Sequence, residues 1–387
     1  MKIALVSPYD LAVPGGVNTH VTRLAENFRR MGHDVRIIGP ATNENAVFPP
    51  DTIIIGRARG IPASGSVARI AISPSPRLAA RVRELLERER FDIVHVHEPL
   101  MPVLPIHFLR YSEAVNVGTF HAAKEGGNRL YSYTRTLLKR YFRRLDGKIA
   151  VSPAAEQLVS RYFSGYYNII PNGIDLAPFS GDIPPVPEFL DGKLNILFLG
   201  RLEKRKGVAY LLRAFPLVKR RFPHVRLIIA GEGRLREGYE RTVHKSGLTD
   251  VVFTGFVDDD LRSRLYRTAD VCCFPATGNE SQGYVLLEAM ASSRPIVASN
   301  IEGFASVVTH GVEGLLTIPR DPESIAAALI RLLGDDELRA RMGRAGRSRA
   351  EQYSWERVAQ RVLSYYERLL YERQPHHPRS AAQPLSR

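Results

Sequence analysis

The feature that most constrains this chain is an alternation of short apolar strands with amphipathic helices that runs twice. Strand-like runs at Ile3–Val6, Asp34–Ile38 and Ile93–His97 surround a helical stretch from about Val17 to Met31, and Val115–Gly118 continues the series. Strands joined through helices argue for a parallel sheet with helices on both faces, since a parallel connection needs a long crossover. After Asn172-Gly173-Ile174-Asp175 comes the proline-rich stretch Ile183-Pro184-Pro185-Val186-Pro187, and the pattern restarts. Strands follow at Leu194–Leu199, Val225–Ala230, Val251–Thr254, Val271–Phe274 and Pro295–Ala298, with helices from about Val285, Ser324 and Asp336. A chain of 387 residues exceeds one ordinary core, so two α/β domains are expected at 1–178 and 190–354. A further helix at 355–373 carries apolar residues at helical spacing, and 374–387 is too polar and proline-rich to fold.

The formal charge of +14 points to an anionic partner, whether nucleic acid, an acidic membrane surface or a phosphorylated ligand. The arginines are dispersed and carry no helix-turn-helix, zinc-finger or RNA-binding signature, so no nucleic-acid partner is expected. No apolar run approaches the ~20 residues that span a bilayer, and Lys2–Val6 is too short for a signal-peptide core, which predicts a cytoplasmic protein. The two cysteines, Cys272 and Cys273, are adjacent in an apolar strand and provide neither a disulfide framework nor zinc-ligand spacing. His95-Val96-His97 lacks a third ligand at suitable spacing, so no metal is expected. Gly231-Glu232-Gly233 lacks the third glycine of the dinucleotide fingerprint, which sets a nicotinamide oxidoreductase aside.

The sharpest motif is Glu280-Ser281-Gln282-Gly283-Tyr284-Val285-Leu286-Leu287-Glu288, two acids separated by seven residues across a loop that enters a helix. A glycine-containing loop at a helix start presents free amides to a phosphate, and carboxylates accept strong hydrogen bonds from sugar hydroxyls. One acid then suits a donor sugar and the other a ribose, while the bland reading makes Glu288 a helix-start charge. Gly200-Arg201-Leu202-Glu203-Lys204-Arg205-Lys206-Gly207 is a basic turn after a strand, whose bland reading is a solvated charge cluster. Asp258-Asp259-Asp260 sits between a strand and a helix, where capping carboxylates belong, rather than in a metal-binding D-x-D. Pro14-Gly15-Gly16-Val17 starts a helix and makes Gly16 a candidate donor to a phosphate. Pro76–Arg90 places Leu78, Val82, Leu85 and Leu86 on one face and Arg77, Arg81 and Arg88 on others. Arg135–Leu145 mixes Lys139, Arg140, Arg143 and Arg144 with Tyr141 and Phe142; both stretches suit an anionic lipid surface.

Taken in order, these blocks resemble the family 4 retaining glycosyltransferases of the GT-B fold, over residues 1–372. The resemblance implies two facing Rossmann-like domains, the first for the acceptor and the second for a nucleotide-sugar, with the terminal helix crossing back to the first. It assigns Arg201, Lys206, Glu280 and His121, the last in Thr119-Phe120-His121, to catalysis without a metal or cofactor. Donor contacts fall on Gly16, Val257, Asp259, Arg262, Ser281, Gly283, Tyr284, Val285 and Glu288, with Asp259 and Arg262 favouring guanine. Within the family the chain is similar to phosphatidyl-myo-inositol mannosyltransferases through Ser7-Pro8-Tyr9, His20-Val21, Gly65-Ser66-Val67-Ala68-Arg69 and His97-Glu98-Pro99. This implies GDP-mannose as donor, a phosphoinositide acceptor near Tyr9, Asn18, Ser64 and Arg69, and a peripheral place on the inner membrane face. Asn18 replaces the family's glutamine, and Ala63-Ser64 its tyrosine and asparagine, which alters the acceptor site. A UDP-sugar enzyme with another acceptor and a non-catalytic sugar-nucleotide or polyanion binder remain as alternatives, although a binder needs no sugar-positioning pair.

Overall fold

The computed structural model describes residues 1–43, 46–63, 66–71 and 75–374. Two sheets account for the two runs of alternation. The first has the spatial order Ser66–Ala71, Thr52–Ala63, Asp34–Ala41, Lys2–Val6, Ile93–His97, Val115–Phe120, Gly147–Ala150, Asn168–Ile169. The second runs Val251–Gly255, Val225–Ala230, Leu194–Leu199, Val271–Phe274, Ile296–Ser299, Gly314–Thr317, all parallel. In each sheet the order reverses beside the first strand, and the crevice at the carboxyl ends of such strands is where open α/β sheets bind ligands. One element departs from the parallel expectation: Ser66–Ala71 runs antiparallel to Thr52–Ala63, pairing Gly60 with Arg69. The connection between them is too short for a parallel crossover, so only a hairpin is possible.

The helix Trp355–Arg373 crosses back to the first sheet, as the resemblance implies. Its buried residues Trp355, Val358, Val362, Tyr366 and Leu369 recur three or four apart and pack with Leu24 and Phe28 of the helix Gly16–Arg30 against Ile3, Leu5 and Val117. Each large apolar side chain placed this way contributes about 2 kcal/mol, which binds the chain's end to its beginning. The contact is close enough that a Cβ on Gly147 would lie 2.5 Å from Leu369 Cδ1.

Helix starts divide by chemistry. Asp258, Asp321 and Asp335 cap theirs with side-chain oxygens. The helices Gly16–Arg30, Val208–Arg221 and Tyr284–Ala291 begin instead after Gly15, Gly207 and Gly283 with no side-chain cap. Their first amides therefore keep free hydrogen-bonding capacity and the positive end of the helix dipole. All three belong to the sequence blocks picked out above.

Among the described residues no helix is long and apolar enough to cross a membrane. Two expectations about the basic stretches change. In the helix Pro76–Glu89, Leu78, Val82 and Leu85 are core residues, and in the helix Arg129–Phe142 both Tyr141 and Phe142 are buried. Those aromatics face the sheet rather than any lipid, because they continue the apolar face begun by Tyr131 and Leu138. Of the proline-rich tail, Gln374 ends the described chain, and 375–387 lie outside it.

Candidate active site

The loop after Leu194–Leu199 folds into a turn at Lys204–Lys206 that aims two cations at one carboxylate. Lys206 Nζ lies 2.8 Å from Glu280 Oε1, and the Arg205 guanidinium donates to the same oxygen. The side chains of Lys206 and Glu280 are only 16% and 9% exposed, so little solvent screens the pair. Both interactions use Oε1, which leaves Oε2 for a hydroxyl donor. Arg201 sits elsewhere, 60% exposed and 3.2 Å from Glu203, whose other oxygen accepts from Arg205. The turn requires glycine at its end: Gly207 has φ +76, and a Cβ there would lie 1.8 Å from the Pro275 carbonyl oxygen. Gly303 is constrained similarly, since its Cβ would meet the Glu280 carbonyl oxygen at 2.0 Å.

Eight residues after Glu280, Glu288 is buried in the helix Tyr284–Ala291. Tyr266 donates to its Oε2 at 2.9 Å, and Arg262 stands 3.8 Å from Oε1. Burial raises its pKa, while Arg262 and the Tyr266 hydroxyl oppose the rise. Arg262 also pairs with Asp259 at 3.0 Å, so Asp259 and Glu288 share one guanidinium. Asp258 Oδ1 accepts from Leu261 N at 2.8 Å, which makes it the expected cap. Val257 lies beside this group, packed on the second domain's core.

The residues between the two acids reach the first domain. Ser281 Oγ is 3.1 Å from Ser152 Oγ, and the Tyr284 hydroxyl is 3.4 Å from the Gly16 carbonyl oxygen. Gln282 Oε1 accepts from both Asn172 N (2.7 Å) and Asn172 Nδ2 (2.9 Å), and its Nε2 donates to Asn172 O at 3.1 Å. Gly283, at φ +86, has no room for a Cβ beside Phe304, and Val285 packs behind the loop.

Opposite stands a cluster of imidazoles. His121 Nε2 and His97 Nδ1 are 3.0 Å apart, and the His20 ring is 4.9 Å from that of His121. His20 Nδ1 in turn meets Asn172 Oδ1 at 2.8 Å. Burial lowers all of these pKa values, His20 to about 4, so the rings are neutral near pH 7. The third nitrogen that the sequence spacing did not supply is thus present: His20, His97 and His121 offer ring nitrogens within 4.8 Å of one another. They come from a helix, a strand and a loop, which no local spacing reveals, and here they hydrogen-bond to each other and to Asn172. Glu98, buried and at φ +48, accepts from His121 N (2.7 Å) and Ala122 N (2.8 Å). It therefore fixes the His121 loop. The segment just past His121, Ala123 to Glu125, shares a small cavity with Asn279, Glu280 and Gly303 of the second domain.

The acceptor-site expectations fare differently. Tyr9 pairs with Ile70, and Asp10 N donates to Arg69 O at 2.9 Å, so Tyr9 and exposed Arg69 lie side by side. Asn18 is engaged within its own loop: Nδ2 donates to Asp10 O (2.8 Å) and Val13 O (3.1 Å), and Oδ1 accepts from Ser7 Oγ (2.8 Å). The Asn18 amide thus ties together the loop from Ser7 to Val13. Ser64 lies outside the described residues. Sequence reasoning missed Arg205, Tyr266, Gln282, Asn172 and His20 as parts of the site. The run Lys204-Arg205-Lys206 held the signal for Arg205, but only the turn's register selects among the three.

Comparison with known proteins bears on both halves. Residues 14–178 match the model of Glycosyltransferase Family 4, and residues 181–349 that of Glycosyl transferases group 1. The chain is 38% identical over 369 residues to a phosphatidyl-myo-inositol mannosyltransferase of Mycolicibacterium smegmatis, covering 95% of this chain and 94% of that one. Among solved structures it is similar to sucrose-phosphate synthase from Thermosynechococcus elongatus (TM-score 0.75, 23% identity, 96% and 99% of the two chains). It is also similar to Anabaena HepE in complex with UDP (TM-score 0.75, 19% identity, 95% and 100%). At these identities the structures speak for the shared GT-B fold alone.

Proposed function

This chain belongs to the family 4 glycosyltransferases of the GT-B fold, and on that premise we propose that it moves mannose from GDP-mannose to a phosphatidylinositol-like lipid with retention of configuration. The observation that carries the reading is the arrangement at the second sheet's carboxyl ends. Lys206 and Arg205 converge on Glu280, next to open helix amides at Gly16 and Gly283, with the neutral His121 loop across the cleft.

Charge grows on the diphosphate as the sugar bond breaks. Lys206, Arg201 and the uncapped amides oppose that charge, taking the part a metal ion plays elsewhere. Glu280 Oε2 and His121 hold sugar hydroxyls, and Glu288, kept in place by Tyr266 and Arg262, holds the ribose. Val257, Asp259, Ser281, Tyr284 and Val285 complete the donor pocket. None of the residues assigned to the sugar is placed as a dedicated nucleophile, so attack from the leaving-group face is the proposed route to retention. Mannose and the inositol lipid rest on the relatives' activity and on Tyr9 and Arg69 lying side by side; guanine rests on Asp259 and Arg262. The enzyme is placed at the inner membrane face, where such a lipid meets a soluble donor.

The test is release of GDP against UDP from a panel of nucleotide-sugars with EDTA present, with and without phosphatidylinositol vesicles. Vesicle-stimulated release of GDP from GDP-mannose supports the proposal. UDP release discards the donor, indifference to lipid discards the acceptor, and tight nucleotide binding without turnover in any mixture discards catalysis.

A further inference from the structure

A second cavity, of 590 Å³, borders the turn Lys204–Lys206, and Arg201, Lys206, Glu280 and Glu288 are not in its lining. Its size is that of a small-molecule site. The walls carry four cations, Lys204, Arg205, Arg213 and Arg320, and one carboxylate, Glu203. Glu203 is already engaged by Arg205 and Arg201, at 3.2 Å each. Lys204, Arg213 and Arg320 are exposed, and none of the three pairs with a carboxylate among the described residues. Ala209 brings in the first turn of the helix Val208–Arg221, the positive end of a helix that starts without a side-chain cap. Tyr210 and Tyr239 add two rings, with the Arg213 guanidinium 5.7 Å from the Tyr210 ring centre. Arginine forks match phosphate oxygens, and tyrosine faces pack against other rings. Arg320 is held at φ +64, a costly conformation for a residue with a side chain, and its guanidinium donates to Thr277 O at 3.4 Å. The fold therefore bears strain where it sets a cation on this wall.

We propose that this cavity binds a small phosphorylated molecule bearing a ring, and that the ligand competes with Glu280 for Arg205. Arg205 belongs to both places, since it lines the cavity while its guanidinium donates to Glu203 and to Glu280. Its backbone is fixed, because Thr277 donates from N (2.8 Å) and Oγ1 (3.3 Å) to Arg205 O. Only the side chain can choose between partners. A phosphate in the cavity offers that side chain more charge than one carboxylate does, and leaves Glu280 to Lys206 at 2.8 Å. Glu280 in turn faces the small cleft cavity it shares with Ala123 to Glu125. Occupancy of the outer cavity thus reaches the carboxylate assigned to the donor sugar. The binding site stands on its own lining, whereas the coupling rests on the donor-site reading.

The test is calorimetric titration of the full chain with phenyl phosphate, ribose 5-phosphate and inorganic phosphate. Saturable binding of at least one ester, about fivefold tighter than inorganic phosphate, is expected. Arg213→Gln/Arg320→Gln should weaken it by at least about tenfold at unchanged Tm, and Tyr210→Ala should abolish the preference for the ring. Lys206→Ala should leave ester affinity within about threefold. Full affinity in Arg213→Gln/Arg320→Gln would overturn the inference, as would the absence of saturable binding of either ester. With the ester saturating, GDP-mannose affinity is expected to fall about fivefold while GDP affinity holds, because Glu280 is assigned to the sugar and not to the nucleotide. No effect on either, or equal effects on both, would overturn the route through Arg205. If the ester binds as expected and no nucleotide-sugar is turned over in any mixture, the catalytic reading fails and the site stands.

Discussion

Replacing Lys206 with alanine tests the proposed chemistry most directly. Its ammonium is 2.8 Å from Glu280 Oε1 on a side chain only 16% exposed, so it acts in a setting where water does little to screen it. Removing one preorganised donor from a developing anion costs about 3 kcal/mol, or roughly 10² to 10³ in turnover. Arg201 is 60% exposed, and its contribution is screened. Arg201→Ala is therefore expected to lose about tenfold, clearly less than Lys206→Ala. Stability should barely change, since Arg205 remains on Glu280 and the carboxylate is not left buried alone. The assay is the initial rate of GDP release at saturating donor, with GDP affinity from calorimetry and Tm as controls. GDP affinity should fall less than kcat, because the leaving diphosphate carries more charge in the transition state than the bound donor does. A Lys206→Ala enzyme with turnover within about threefold of wild type, or one less impaired than Arg201→Ala, would refute the assignment.

Three further outcomes are expected. Tyr266→Phe removes the hydrogen bond to Glu288 Oε2 and should raise the donor KM by about tenfold with kcat nearly unchanged; a fall in kcat at constant KM contradicts a ribose-holding role. Gly207→Ala places a Cβ 1.8 Å from the Pro275 carbonyl oxygen at φ +76, so differential scanning fluorimetry should show a lower Tm and calorimetry no GDP binding. Burial depresses His20 to about 4 and His95 to about 3 from an ordinary 6.5. The unfolded chain takes up protons below pH 6.5 while the folded one does not, so stability is full above that pH and is lost as pH falls toward 4. The slope is about 1.4 kcal/mol per pH unit per histidine, and a Tm that stays flat from pH 6 to 4.5 would count against neutral burial.

Much of the fold was legible because its strands are apolar and its motif helices start on glycine, both local properties of the sequence. Leu194–Leu199, Val225–Ala230 and Val271–Phe274 fall where the apolar runs lie. The antiparallel pairing of Ser66–Ala71 was not legible, since a strand's direction depends on its connection rather than its composition. The facing of Tyr141 and Phe142 was misread for a related reason: cations beside aromatics resemble a membrane surface until the helix is placed against its sheet. In the site, each motif's location could be read, but the pairing of charges could not. Arg205 reaches Glu280 across 75 residues, and Gln282 reaches Asn172 across 110, distances at which no periodicity speaks.

Those long-range pairs give the loop from Glu280 to Glu288 two tasks. Its two acids face cations and Tyr266 within the second domain, while Ser281, Gln282 and Tyr284 bond to the first. Gln282 is almost wholly buried and satisfies an Asn172 backbone amide that would otherwise be left unpaired, a loss of about 1 to 3 kcal/mol. Asn172 passes the connection to His20, and the His20 ring touches that of His121. The donor loop and the histidine assigned to the sugar are thus joined by one chain of contacts, Gln282 to Asn172 to His20 to His121. A shift of the loop must break the buried hydrogen bonds at Asn172, carry His20 with it, or slide the His20 ring past that of His121. On the proposed assignment of His121 to the sugar, this chain of contacts ties that residue's position to the position of the donor loop.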